Sequence, residues 1–250
     1  MLSSNIKNHT IKLHQKKYRA DFNEFLVEGF KGVEEALNSG YPINYLIIDS
    51  RFRESKQDLI KKAEGKGAEI FFCNKPEADK IKTTDTFPGI LAVVKILPLS
   101  IGKIAENGPI IILDRINDPG NLGTIIRTAD WFGIQNILLS EDSVDLYSPK
   151  AVRSTMGSIF HIKAIESTNI VQSIEQLKKK GYNIIALDIK GDSLENLESF
   201  PKSAYIFGSE SHGIRNTLLD LADKKITIQG KGKSQSLNVA VSAGILMSQL

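Results

Sequence analysis

The chain has 250 residues, enough for two ordinary domains that each bury a core, and its 41% hydrophobic and 24% charged content excludes a disordered or fibrous chain. A formal charge of +3 leaves any nucleic-acid contact to local clustering, while the single cysteine, Cys73, excludes an internal disulfide and reads as core filling. Four scattered histidines (His9, His14, His161, His212) carry no metal-ligand spacing, MLSSNIKNHT lacks an apolar leader core, and no run of about 18 apolar residues occurs, so a cytoplasmic protein without a metal is expected.

In chain order, residues 1–28 hold Lys7, Lys12, Lys16, Lys17 and Arg19 with few opposing acids. That density suits an RNA or DNA phosphate backbone and, equally, a solvated helix face. FLVEG (25–29) reads as a strand entering a helix from Phe30 to Leu37, stopped by Gly40, Tyr41 and Pro42. Strands follow at 43–49, 69–73 and 89–96, with helices at 54–64 and 76–82. The alternation predicts a small α/β domain over 1–97, and the prolines and glycines of 98–109 predict a linker.

IIILD (110–114) has the continuous apolar character of a buried parallel strand. NDPGNLGTIIRTADWFG (117–133) reads as a polar glycine loop running into a helix, with Ile125, Ile126, Ala129 and Phe132 on one side. Further strands are predicted at 136–140, 159–165, 183–188, 204–208 and 224–229, with helices at 169–180 and 214–222. Strand following helix following strand over 110–250 predicts a mostly parallel sheet with helices on both faces. Ser236 and Asn238 are good N-cap residues ahead of a small-residue helix.

Several tempting motifs fail on spacing. GKGKS (230–234) would need glycine at 227 for a phosphate-binding loop, and Thr227 stands there. In GSESHG the residue two before Ser211 is Ser209, so the nucleophile-elbow spacing is not met, and DPGNLG is not G-x-G-x-x-G. What remains is a set of polar residues that a packed core would not require: Asn121, Arg127, Glu210, Ser236 and Asn238. Four of them have a plain structural alternative. Arg127 could pair with Glu210 or Asp114, Glu210 could cap a turn, and Ser236 and Asn238 could cap a helix and do nothing else. Their common placement argues for more, because loops that follow parallel strands gather at the carboxyl ends of the sheet, where ligands bind.

NDPGNLGTIIRTADWFG, FGSESHGI and ITIQGKGKSQSLNVAVSAGI together resemble, in order, the three signature motifs of the SpoU-type RNA ribose 2′-O-methyltransferases of the SPOUT superfamily. The N-terminal half is similar, more weakly, to the RNA substrate-binding domain that many of these enzymes carry. The resemblance implies a trefoil-knotted C-terminal domain, S-adenosyl-L-methionine as methyl donor, and a homodimer whose active site lies between subunits. Carried onto matching positions, it implies cofactor contacts at Gly208, Ile228 and Leu237, and Asn121, Arg127, Glu210, Ser236 and Asn238 as the polar active-site set. Ribosomal RNA is the implied substrate. A transfer-RNA methyltransferase, or a non-catalytic RNA-binding assembly factor on the same scaffold, is the alternative.

Overall fold

A computed structural model describes residues 2–104, 108–197 and 202–250; residues 105–107 of the expected linker lie outside this set. Packing divides the chain into two units, Met1–Pro98 with Tyr147–Phe160, and Leu99–Leu146 with His161–Leu250.

The first unit is built on a four-stranded sheet. Its elements are α1 (Ser4–Lys12), α2 (Lys16–Phe22), β1 (Glu24–Glu28), α3 (Phe30–Asn38), β2 (Ile43–Asp49), α4 (Gln57–Gly65), β3 (Glu69–Cys73), α5 (Lys75–Ile81) and β4 (Ile90–Lys95). Strand order is β1-β4-β2-β3, with β2 and β3 parallel and β4 antiparallel to both of its neighbours. Alternation along the strands sends Leu26, Tyr45, Ile47, Cys73, Leu91 and Val93 to one face, where Leu2, Leu13, Ala78 and Ile81 of the α1–α5 layer complete a core. Asn74 and Glu77 form a reciprocal capping box that fixes the start of α5.

The second unit carries β5 (Ile110–Leu113), α6 (Pro119–Trp131), β6 (Asn136–Leu139), β7 (Lys163–Glu166), α8 (Ile170–Lys179), β8 (Asn183–Ser193), β9 (Ser203–Phe207), α9 (Asn216–Leu219), β10 (Lys224–Thr227) and α10 (Val239–Met247), while α7 (Pro149–Ser154) packs on β1 of the first unit. The sheet order is β10-β8-β9-β5-β6-β7, and every pairing in it is parallel. Ile110, Ile112, Leu138, Ile184, Ala186, Ala204 and Ile206 face α8 and α9 on one side. The alternate residues of the same strands point to the side on which α6 and α10 pack together.

Four local expectations are corrected. DPGNLG is helix, not loop: Asp118 caps α6 by accepting from the Asn121 N–H at 2.9 Å, and Pro119 takes the first position, where its missing N–H costs nothing. The expected strand at 159–165 is a 3-10 turn at Ser158–Phe160 followed by a shorter strand, because Phe160 is drawn into the first unit against Tyr41 and Phe25. The helix expected over 214–222 is one turn, α9. Part of the expected linker is core: Ile104 is fully buried among the residues packed beneath α8.

Candidate functional site

Because all six strands run the same way, the turns after β5 and β9 and the segment after β10 leave the sheet at one edge. There the three polar stretches meet. Asn238 donates from Nδ2 to Glu210 Oε1 (2.7 Å) and to Asn121 Oδ1 (3.1 Å), and Asn121 Nδ2 donates to the same Glu210 oxygen at 2.7 Å. Asn238 Oδ1 also accepts from the N–H groups of Ala240 and Val241, so one amide caps α10 and ties it to the other two stretches.

The Glu210 turn is held by a second network. Asp114, fully buried at the end of β5, accepts from the Arg215 backbone N–H (2.9 Å) and from its Nε (2.7 Å), with Arg215 Nη2 also at 2.6 Å. Arg215 reaches on to Glu141 and Asp142 beyond β6; partial burial works against its charge, but the Asp114 hydrogen bond and the charges of Asp114, Glu141 and Asp142 hold its guanidinium above the usual arginine range. Arg115, in the left-handed region at φ 55°, donates from Nη2 to the Gly213 carbonyl at 3.4 Å. Within the turn, Gly213 N–H bonds Ser209 O at 2.8 Å, and a Cβ on Gly208 would stand 2.1 Å from the Gly213 carbonyl carbon, so only glycine permits this closure.

Two adjoining cavities of about 550 Å3 and about 540 Å3 open beside this turn. Both fall within the roughly 300–1,000 Å3 of small-molecule sites. Gly208, Glu210 and His212 line the first, Ile228 lines the second, and Ser236 and Leu237 stand between them. Leu187, Asp188 and Ile189 form a shared wall that sequence reading did not single out. They are there because the β8–β10 register jumps: Lys225 pairs with Ala186, but Ile226 pairs with Asp192. Gly191 makes the jump possible, since a Cβ there would lie 2.6 Å from the Ile226 backbone. A glycine inside a strand pattern was the available signal.

The remaining expected site residues are placed as follows. Ser236 is not a cap; α10 starts at Val239 with Asn238 as its cap, leaving Ser236 exposed on the cavity wall. Arg127 is exposed on α6 and has neither of the acid partners considered for it: Asp114 is taken by Arg215, and Glu210 by the two asparagines. Among the basic residues, Lys12, Lys16 and Lys17 are exposed and Lys7 half-buried, with Lys12 and Lys17 flanking the Tyr18 ring at 5.4 and 5.9 Å. Arg19 is a correction. It is only 5% exposed, and its Nη1 donates to the Leu13 carbonyl at the α1 C-terminus, so this charge serves a helix end. Among the described residues no group of three or more His, Cys, Asp and Glu side chains could hold a metal ion, and no helix is long and apolar enough to cross a membrane.

The geometry has counterparts in known proteins. Residues 108–248 match the model of the SpoU rRNA Methylase family, and residues 4–92 match the MRM3-like substrate binding domain. The chain is 32% identical over 240 residues to the 23S rRNA (guanosine(2553)-2′-O)-methyltransferase RlmP of Bacillus subtilis (strain 168), with 96% of this chain and 93% of that protein covered. Among solved structures, an AdoMet-bound rRNA methyltransferase from Sinorhizobium meliloti superposes with a TM-score of 0.89 at 28% identity, over 99% of this chain and 94% of that one. A putative RNA methyltransferase of the TrmH family from Porphyromonas gingivalis gives 0.87 at 30% identity, over 100% of this chain and 98% of that one.

Proposed function

The chain belongs to the SpoU rRNA Methylase family, and from that premise we propose that it transfers the methyl group of S-adenosyl-L-methionine to a ribose 2′-hydroxyl of structured RNA, with ribosomal RNA as the target. One observation carries the reading: Asn121, Glu210 and Asn238, from three separate stretches, are hydrogen-bonded to one another beside a cavity of cofactor size.

The cavity residues fit the cofactor. Gly208 offers backbone at close approach, Ile228 and Leu237 offer apolar contact, and Asp188 and Glu210 suit a cationic ligand. When bound, S-adenosyl-L-methionine supplies an electrophilic methyl on a positively charged sulfur. The chain's own task is then to set the ribose oxygen in line and to accommodate the departing hydroxyl proton. The triangle of Asn121, Glu210 and Asn238 fixes donors and acceptors at the cavity edge before substrate arrives, so little reorganisation remains. Ser236, exposed on the cavity wall, adds a hydroxyl that can donate or accept. Arg127 is given the part of activating or orienting the substrate, a guanidinium being in general a poor base. Its planar fork suits a phosphate of the substrate and the charge that develops on the attacking oxygen.

We further propose that the working form is a cytoplasmic homodimer. Trp131 (84%) and Phe132 at the end of α6 and Val241 on α10 are large apolar side chains left exposed, which a second copy of the chain would cover. The region matched at 4–92 would engage RNA, with Lys7, Lys12, Lys16 and Lys17 as phosphate contacts, while that at 108–248 performs transfer through a trefoil-knotted C-terminal path. The test is methylation of total RNA from cells lacking the protein, using labelled cofactor, with 2′-O-methyl mapping of the product. A protein that binds cofactor yet labels no RNA would refute the reading.

A further inference from the structure

The first unit contains a pocket that the transfer reaction does not use. It is enclosed by residues 27–32 at the β1–α3 junction and by 152–160, has a volume of about 290 Å3, and is walled mainly by Val27, Phe30, Val152, Met156, Ile159 and Phe160. The 152–160 wall lies outside the stretch matched as a substrate binding domain. Met156 stands at 46% exposure, an adaptable apolar side chain that a soluble surface does not require.

Phe30 joins this pocket to a cluster of rings and cations. Lys56 Nζ lies 4.5 Å from the Phe30 ring centre, Phe52 meets Phe30 edge-on at 5.2 Å, and the Arg53 guanidinium lies 4.6 Å over Phe72. Lys31, in the first turn of α3, also lines the pocket. Arg51 is neutralised by Asp49, but Lys31, Arg53 and Lys56 have no carboxylate partner among the described residues. An apolar pocket of about 290 Å3, with Phe30 and Lys31 in its lining and Lys56 over the Phe30 ring, suits an unpaired nucleobase with phosphates on either side. A duplex cannot present a base to such a slot, because its bases are stacked and paired.

We propose that this pocket takes an unpaired base of the RNA substrate, with Lys31, Arg53 and Lys56 holding the adjoining phosphates. The proposal rests on the RNA methyltransferase reading and adds to it a site that selects loops or bulges over helices.

The experiment compares the full-length protein with two variants, Arg53→Glu/Lys56→Glu at the exposed rim and Phe30→Ala at the pocket. Fluorescence anisotropy measures binding to a labelled hairpin with an unpaired loop and to a fully paired duplex of equal length, at one fixed salt concentration, and calorimetry measures cofactor binding. The wild type should prefer the loop. Both variants should raise the loop Kd about tenfold or more, leave the duplex within about twofold, and leave cofactor binding unchanged. Equal weakening on both RNAs would overturn the base pocket, as would unchanged loop binding in a folded Arg53→Glu/Lys56→Glu protein. A wild type that binds neither RNA would overturn the RNA reading itself, which separates the two failures.

Discussion

Asn238 and Glu210 are joined by a 2.7 Å hydrogen bond from the asparagine Nδ2 to the glutamate Oε1, while the asparagine Oδ1 caps α10. One side chain therefore holds a helix start and one corner of the site, and the two roles can be separated. Asn238→Ala loses both, at about 1 kcal/mol for the cap. Asn238→Asp keeps the cap, since aspartate caps as well as asparagine, but sets a second carboxylate against Glu210. In urea unfolding Asn238→Asp should be the more stable of the two at low pH and lose that advantage as both carboxylates ionise. Methyl transfer should fall in both, by about a hundredfold or more if the preorganised triangle matters as other fixed polar groups do.

Arg127 gives the opposite pattern. It is exposed and unpaired among the described residues, so Arg127→Ala should change stability by less than about 0.5 kcal/mol. Cofactor affinity by calorimetry should also hold, while RNA methylation falls by at least about a hundredfold. Arg127→Lys should restore little, because a point charge does not reproduce the bidentate fork. A methylation rate unaffected by Arg127→Ala would remove this residue from the proposed set.

Fully buried Asp114 pairs with Arg215 behind the site, and removing Arg215 leaves that carboxylate only the longer contact to Arg115 Nε at 3.5 Å. Arg215→Ala should cost about 3 kcal/mol, the lower end for a broken buried pair because Arg215 keeps 20% of its side-chain exposure. Asp114→Asn in the same protein should recover part of that loss by removing a buried carboxylate left with Arg115 alone. The urea midpoint of the second unit reads both effects. If Arg215→Ala were neutral, the pair would not be what fixes the Glu210 turn.

Acid stability should be governed by carboxylates with named partners. Arg51 hydrogen bonds hold Asp49 below the usual aspartate range, and the Asn74 N–H at the capping box, with Leu2 N–H, does the same for Glu77. A carboxyl whose folded pKa lies below its unfolded value binds fewer protons when folded. Its stabilising effect is therefore full above the unfolded value, near pH 4, and is lost as pH falls through the folded one. Urea midpoints should be flat from pH 7 to about 5 and then decline, and Asp49→Asn or Glu77→Gln should shallow that decline. Cys73 contributes nothing in this window, since burial pushes its thiol up to about 12.

The meeting of three polar stretches was legible in the sequence because it follows from topology: turns after parallel strands must emerge at one edge, and FGSESHG and SLNV announce themselves by glycine and cap residues. The helical start at Asp118 and Pro119 was equally written there, but the glycines of DPGNLG obscured it. Other features have no local signature. Nothing near Asp114 in the sequence tells Arg215 from Arg127 as its partner, because the choice is made by the arrangement of β5 against the turn after β9. The burial of Arg19 depends on an unsatisfied carbonyl at Leu13 that charge patterning does not see. Packing of 147–160 with the first unit likewise rests on distant ring contacts, Phe25 with Tyr147 and Tyr41 with Phe160.

Gly191 offers the sharpest test of how the cavity is made. Its neighbours leave no room for a side chain: a Cβ would stand 2.6 Å from the Ile226 carbonyl carbon, from the Ile226 nitrogen and from the Lys225 carbonyl carbon, and none of these backbone atoms can turn away. Gly191→Ala must therefore push β10 from β8 where the register jumps, or draw residues 187–191 back into an even ladder. Either response displaces Leu187, Asp188 and Ile189 from the wall shared by the two cavities. The expected cost is about 1–3 kcal/mol, as for an overpacked core, with cofactor affinity reduced at least tenfold. Gly181→Ala is the control for a glycine without steric crowding: it has a positive φ of 83° but open space around it, so it should lose stability with cofactor affinity intact. If Gly191→Ala bound cofactor as the wild type does, the jump in register would not be what shapes the cavity.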